Sequence, residues 1–194
     1  VNWGKSIELR DATIETREEF GHWEIATVRG AKNKKDNVLI SLIERKSRLY
    51  IALRCPSARS HDIKEALETW LSTFKNNVEL RLLCKTITAD NGLEFADISD
   101  LEDEILFIYF ARPYSAWERD SNERHTGLLH RFIPKGKRIE SISEHTLRQT
   151  LHWCNNLPRK ILYYKTPQEV FLEEVNKIVD FKYCSISYCN FKKL

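Results

Sequence analysis

The chain has 194 residues, with 31 Lys plus Arg against 28 Asp plus Glu and a formal net charge of +3. That length suffices for one domain with a sizeable core, and no apolar run approaches the ~20 residues of a membrane-spanning helix. Charges this nearly balanced do not announce a nucleic-acid binder, so any basic surface must come from local clustering.

There is no Met, which implies a fragment or processed chain with room for an upstream domain, and the opening VNWGKSIELRD has no secretory pattern. The five Cys, at 55, 84, 154, 184 and 189, lack metal-ligand spacing and read as reduced thiols. Residues 1–20 are polar and weakly patterned, a leader segment with one short helix. Three strands are predicted next, at Trp23–Val28, Asn37–Ile43 and Leu49–Arg54, the polar 44–48 suiting a hairpin. Their immediate succession points to an antiparallel meander. In 61–74, Ile63, Ala66, Leu67, Trp70, Leu71 and Phe74 recur at spacings of three and four, the pattern of an amphipathic helix.

Lys85–Ala89 is predicted as a fourth strand ending at Asp90, Phe95–Glu104 as a short helix and Ile105–Ala111 as a fifth, buried strand. Ser115–Phe132 is predicted helical. After the Pro134-Lys135-Gly136 break come helices at Ser143–Asn155, with a Ser cap, and at Pro167–Val179, with Thr166 as N-cap and Pro167 in the first turn. The tail 181–194 has no usable pattern. A meander followed by alternating strands and helices makes an α/β fold: a mixed five-stranded sheet flanked by helices, with extra C-terminal helices. That order matches the RNase H-like fold. Trp23, Trp70 and Trp153 are assigned to the core.

Two acids stand out. Asp90 ends an apolar strand just before an Asn91-Gly92 turn, which exposes its side chain at the end of the sheet. Glu123 lies in a helical stretch, and Gly127 one turn on leaves room on the same face. Carboxylates on separate rigid elements suit Mg²⁺ or Mn²⁺ and the in-line displacement that such ions support. Taken singly, each acid could equally be a turn-forming Asp or a solvated helix charge.

The flanking strings change that balance. FGHWE at 20–24, TVRG at 27–30, LIERKSR at 42–48, TADNGLEF at 88–95, YFARPYSAWER at 109–119, SNER at 121–124, GLL at 127–129, FIPKG at 132–136, LPRK at 157–160 and TPQEVF at 166–171 occur in order. Together they resemble the catalytic core of bacterial insertion-sequence transposases of the IS-thirty type, within the retroviral-integrase-like group. The resemblance implies a core over 21–135, a helical extension over 136–180, and a three-carboxylate (DDE) site that cuts and joins DNA strands with Mg²⁺. It also implies DNA as partner, a homo-oligomer, an upstream helix-turn-helix region, no membrane contact and a cytoplasmic, nucleoid-associated location. Carried over by position, the second acid is Asp90 and the third Glu123.

The first acid does not carry over. Where the family pattern has FGHWE-x-D-T-V, this chain has Ala26. Glu24 shares a strand face with position 26 but lies ~6.6 Å away along the strand, too far to preserve the geometry. A decayed copy and a deliberate Asp→Ala change would read alike. The chain also has Asp120 where the family has Gly, and Thr126 where it has Asn. Basic groups recur at Lys32-Lys34-Lys35, Arg45-Lys46-Arg48, Arg131-Lys135-Lys137-Arg138 and Arg159-Lys160, each of which, taken alone, reads as a solvated turn. The cluster Arg131, Lys135, Lys137 and Arg138 follows the Glu123 helix and is assigned to DNA phosphates. Trp117 is expected to pack, and His125 and His130 to lie on the surface or face DNA.

Overall fold

A computed structural model describes residues 3–30, 36–75, 78–112, 127–133 and 136–178. The strands are β1 (Lys5–Ser6), β2 (His22–Arg29), β3 (Val38–Glu44), β4 (Tyr50–Cys55), β5 (Thr86–Ala89) and β6 (Phe107–Phe110). The helices are α1 (Ser60–Lys75), α2 (Val78–Arg81), α3 (127–132), α4 (Glu144–Asn155) and α5 (Pro167–Ile178). The strands form one mixed sheet in the order β1-β6-β5-β2-β3-β4. The β2–β3–β4 meander is antiparallel, as short connections require, and β5 and β6 join in parallel.

Every residue of β3 is buried, which is why NVLISLI reads as a continuous apolar run rather than an alternation. Its side chains divide between two cores. Val38, Ile40 and Leu42 join Trp23, Ile25 and Ile87 under Ile63, Leu67, Trp70, Leu71 and Phe74 of α1 and Phe171 and Val175 of α5. Trp23 packs edge-on against Trp70, ring centres 5.2 Å apart, and its Nε1 donates to the Leu83 carbonyl at 2.8 Å. On the opposite face, Val28, Leu39 and Ile43 pack with Leu129, Ile133, Ile139, Leu147 and Leu151, which brings α3 and α4 there. Each fully buried Leu or Ile contributes roughly 1.5–3 kcal/mol.

Three expectations change. The sheet gains a sixth strand, because Lys5 and Ser6 pair with Tyr109 and Phe110 beyond the five predicted. The residues that follow form two 3-10 turns, Ile7–Leu9 and Ala12–Thr16, rather than one short helix. Phe95–Glu104 is likewise two 3-10 turns, Leu93–Phe95 and Ile98–Leu101, with Phe95 and Ile98 both buried in the core. Trp153 is half-buried, edge-on to the exposed Phe132. The helix ends behave as read: Ser143 Oγ accepts from Thr146 N at 3.0 Å. At α5, Thr166 Oγ1 accepts from Glu169 N while Glu169 Oε2 accepts from Thr166 N, a complete capping box.

Candidate active site

The site is built by the parallel ladder between β2 and β5. His22 stands opposite Thr86, Trp23 opposite Ile87 and Glu24 opposite Thr88. Partners in a parallel pair point to the same face, so successive rows alternate between apolar and polar. The ladder ends at Glu24 and Thr88; Ala26 and Asp90 each lie two residues further on, and by alternation both belong to the sheet face that carries Val28 and receives α3.

Along that face the rows behind the site are closed. His22 Nδ1 lies 2.9 Å from Thr86 Oγ1, and burial holds the His22 imidazole below its ordinary pKa despite Glu19 beside it. Glu24 is fully buried and bound by Arg45, also fully buried, at 2.9 Å. Arg45 reaches Glu15 at 3.1 Å, Glu15 also pairs with Arg10, and Arg10 donates to Thr88 Oγ1 at 2.9 Å. Glu24 is thus committed to a structural ion pair, which removes it as a substitute for a ligand at position 26. The same pair corrects the solvated-turn reading of Arg45-Lys46-Arg48. Arg45 is buried, Lys46 pairs with Glu174, and Arg48 is buried in a left-handed turn (φ 65°), its guanidinium lowered by burial to about 10.

At the open end, Asp90 Oδ1 accepts from Gly92 N at 2.9 Å, the side-chain-to-backbone turn that an Asp-Asn-Gly string favours. Asn91 fixes the loop from the other side, donating from Nδ2 to the Ala111 carbonyl at 2.5 Å and accepting at its own carbonyl from Trp3 Nε1. One more acid lies beside Asp90 and was not singled out in the sequence. Glu94 Oε1 accepts from Thr27 Oγ1 at 2.9 Å and from Arg29 Nη2 at 3.3 Å, and its side chain is 16 % exposed. The signal was the TADNGLEF string itself: Phe95 is fully buried, which anchors the turn and turns its neighbour back across β2. Among the described residues, no group of three or more His, Cys, Asp or Glu is arranged to hold a metal ion. Asp90 and Glu94 make two carboxylates, and position 26, where the resemblance implies the first acid of the set, carries a methyl.

Glu123 and Lys135 lie outside the described residues, as do Lys32, Lys34, Lys35, Trp117, Asp120, His125, Thr126, Cys184 and Cys189. The residues following Glu123 are placed: Leu129 and Ile133 are buried against Val28 and Leu39 on the site face, and Gly127 has no neighbour within 4 Å of a Cβ position. Arg131, Lys137 and Arg138 are exposed, Arg138 pairing with Glu140 at 2.5 Å. The Lys137 carbonyl abuts Gly30, just past the end of β2, and Asp36 accepts from Ile139 N at 2.8 Å and from Glu140 N at 3.1 Å. These contacts pin the basic segment to the strand that carries Ala26, ~13 Å further along it. His130 Nδ1 lies 3.0 Å from the Ile133 carbonyl, Arg159 donates to the Cys154 carbonyl, and Cys55, Cys84 and Cys154 are buried thiols. No helix among the described residues is long and apolar enough to cross a membrane.

No family model matches the chain. It is 34% identical over 168 residues to a probable transposase for the insertion-like sequence element IS1161 of Streptococcus salivarius, covering 87% of this chain and 46% of that protein. It is 35% identical over 172 residues to the transposase for insertion sequence element IS4351 of Bacteroides fragilis, with shares of 88% and 50%. Against transposase InsI for insertion sequence element IS30C of Escherichia coli (strain K12) it is 35% identical over 170 residues, with shares of 86% and 42%. The chain thus spans about half the length of the relatives it matches. Among solved structures, the catalytic core domain of BIV integrase superposes with a TM-score of 0.61 at 17% identity, over 82% of this chain and 98% of that one.

Proposed function

Starting from a chain that belongs with the insertion-sequence transposases and folds as an integrase catalytic core, we propose that it is the DNA strand-cleaving and strand-joining part of such a transposase, with its cleavage severely impaired by Ala26. The observation that supports this is the β2–β5 register, in which Ala26 and Asp90 each follow the paired Glu24 and Thr88 by two residues. Residues 21–135 make the catalytic core in this reading and 136–180 its helical extension. Asp90, with Glu123 by resemblance, would hold Mg²⁺ or Mn²⁺, and the hard oxygen donor at the sheet end fits such an ion. The bound cation supplies charge for the phosphodiester and lowers the pKa of an attacking water.

The chain's own residues do the rest. Asp90 is held at the sheet end by Gly92 N and the pinned Asn91 loop. Arg131, Lys137 and Arg138, with Lys135 from the same cluster, supply the cationic surface for the DNA backbone. Water attacks a phosphodiester first, and the 3′-hydroxyl it frees then attacks a second one. Because both ends of an element must be joined, a homo-oligomer acting on DNA in the cytoplasm follows from the same reading. A methyl at position 26 removes a shared oxygen ligand, and losing even ~4 kcal/mol of transition-state stabilisation is about a thousandfold in rate.

The test is Mg²⁺-dependent nicking of supercoiled DNA bearing element ends, by this chain and by Ala26→Asp, each joined to the remaining half of a relative's transposase. Nicking faster by about a thousandfold in Ala26→Asp is expected, and equal rates would overturn the impairment. A second reading, a DNA-binding or assembly module that has abandoned chemistry, is favoured by Ala26 alone. It predicts that Ala26→Asp binds DNA but still does not nick it.

A further inference from the structure

We infer that Glu94 supplies a second carboxylate oxygen to the cation at Asp90, with Thr27 and Arg29 as the residues that position it. The two oxygens of Glu94 have separate surroundings. Oε1 is engaged by Thr27 Oγ1 at 2.9 Å and Arg29 Nη2 at 3.3 Å. Oε2 turns the other way: it lies 2.6 Å from the point where a Cβ on Gly92 would stand, and Asp90 Oδ1 lies 2.8 Å from the same point. Two carboxylates from different residues therefore converge on one space, which stays open only because residue 92 has no side chain.

Gly92 sits at φ −64° and ψ 145°, backbone that any residue adopts, so conformation does not demand glycine there; the space beside it does. Glu94 is 16 % exposed while its partner Arg29 is 62 % exposed. Mg²⁺ and Mn²⁺ take oxygen donors of this kind. In a chain whose position 26 offers a methyl, Glu94 is the acid that keeps a second oxygen at the site.

This deepens the proposed cleavage chemistry and rests on it for the presence of a cation at Asp90. The test uses Mn²⁺ alone, without DNA, titrated into the full chain and followed by the loss of the free-ion electron paramagnetic resonance signal. The unaltered chain should take up one Mn²⁺. Glu94→Gln keeps the shape and the Thr27 hydrogen bond, and should weaken uptake at least ~10-fold, as Asp90→Asn should. Thr27→Val and Gly92→Ala should each weaken it by roughly 10-fold, the size of effect expected when a ligand loses its orientation. Glu68→Gln, on an exposed face of α1, should leave it unchanged. Urea unfolding of each variant separates lost ligation from lost folding, and Glu94→Asp provides a second, more conservative change.

No uptake by the unaltered chain, or uptake by Glu94→Gln equal to it while Asp90→Asn loses the ion, would overturn the inference. The two readings fail separately. Nicking restored in Ala26→Asp with Mn²⁺ uptake indifferent to Glu94 sinks the ligand role alone. Uptake that depends on Glu94 in a chain whose Ala26→Asp form never nicks DNA sinks the transposase reading.

Discussion

At the scale of single residues, the neighbourhood of Asp90 sorts its charges by depth. One row of the ladder behind the site, Glu24 and Arg45 are both fully buried and paired at 2.9 Å. Such a pair adds little net stability over an apolar pair of similar volume, but removing one member leaves the other charged and dry. Arg45→Ala should therefore lose about 3–5 kcal/mol in urea unfolding, while a double Glu24→Gln, Arg45→Met change should lose much less; equal losses would show that Arg45 acts through packing alone. The sequence made Asp90 legible because an apolar run, an Asp and an Asn-Gly turn are local signals. It hid Glu24 and Glu94 for the same reason in reverse. Glu24 finds its cation 21 residues away and Glu94 its hydroxyl 67 residues away, distances that only the strand order can close. Arg45 was misread because a basic turn is usually solvated, and nothing in ERKSR shows that the arginine folds back beneath the sheet.

At the scale of elements, long periodic segments were readable, and the two-residue β1 and the 3-10 turns were not. The meander and α1, α4 and α5 appear within a residue or two of their predicted ends, because burial acts on many of their side chains at once. β1 has two residues and no pattern to carry it; its place beside β6 is fixed by pairing. The outer edge of β4 shows how an element is finished by tertiary contact. Asn155, the last residue of α4, donates to the Tyr50 carbonyl and accepts from Tyr50 N, both at 2.8 Å, imitating a neighbouring strand. A side-chain seal of this kind guards an edge against pairing with another chain. Asn155→Ala should cost about 2 kcal/mol or more, since each buried backbone group left unpaired costs about 1–3 kcal/mol. It should also raise the tendency to self-associate, read by sedimentation velocity. A change below about 0.5 kcal/mol would mean that water replaces the amide freely.

At the scale of the whole molecule, one sheet separates two jobs. The face under α1 and α5 is apolar and holds the larger core. The other face carries the polar rows of β2 and β5, and α3 packs on it beside the end of β2. The near-neutral net charge fits that division, with exposed Arg131, Lys137 and Arg138 near the end of β2 and the acids drawn inward. The overall architecture was legible from element order, and the vacancy at position 26 from the FGHWEIATV string; relating that position to Asp90 required the β2–β5 register. The direct test is anomalous diffraction from Mn²⁺-soaked crystals of the Ala26→Asp chain. A Mn²⁺ peak is expected within ~2.5 Å of both the introduced carboxylate and Asp90. A peak that contacts Asp90 and ignores position 26 would contradict it.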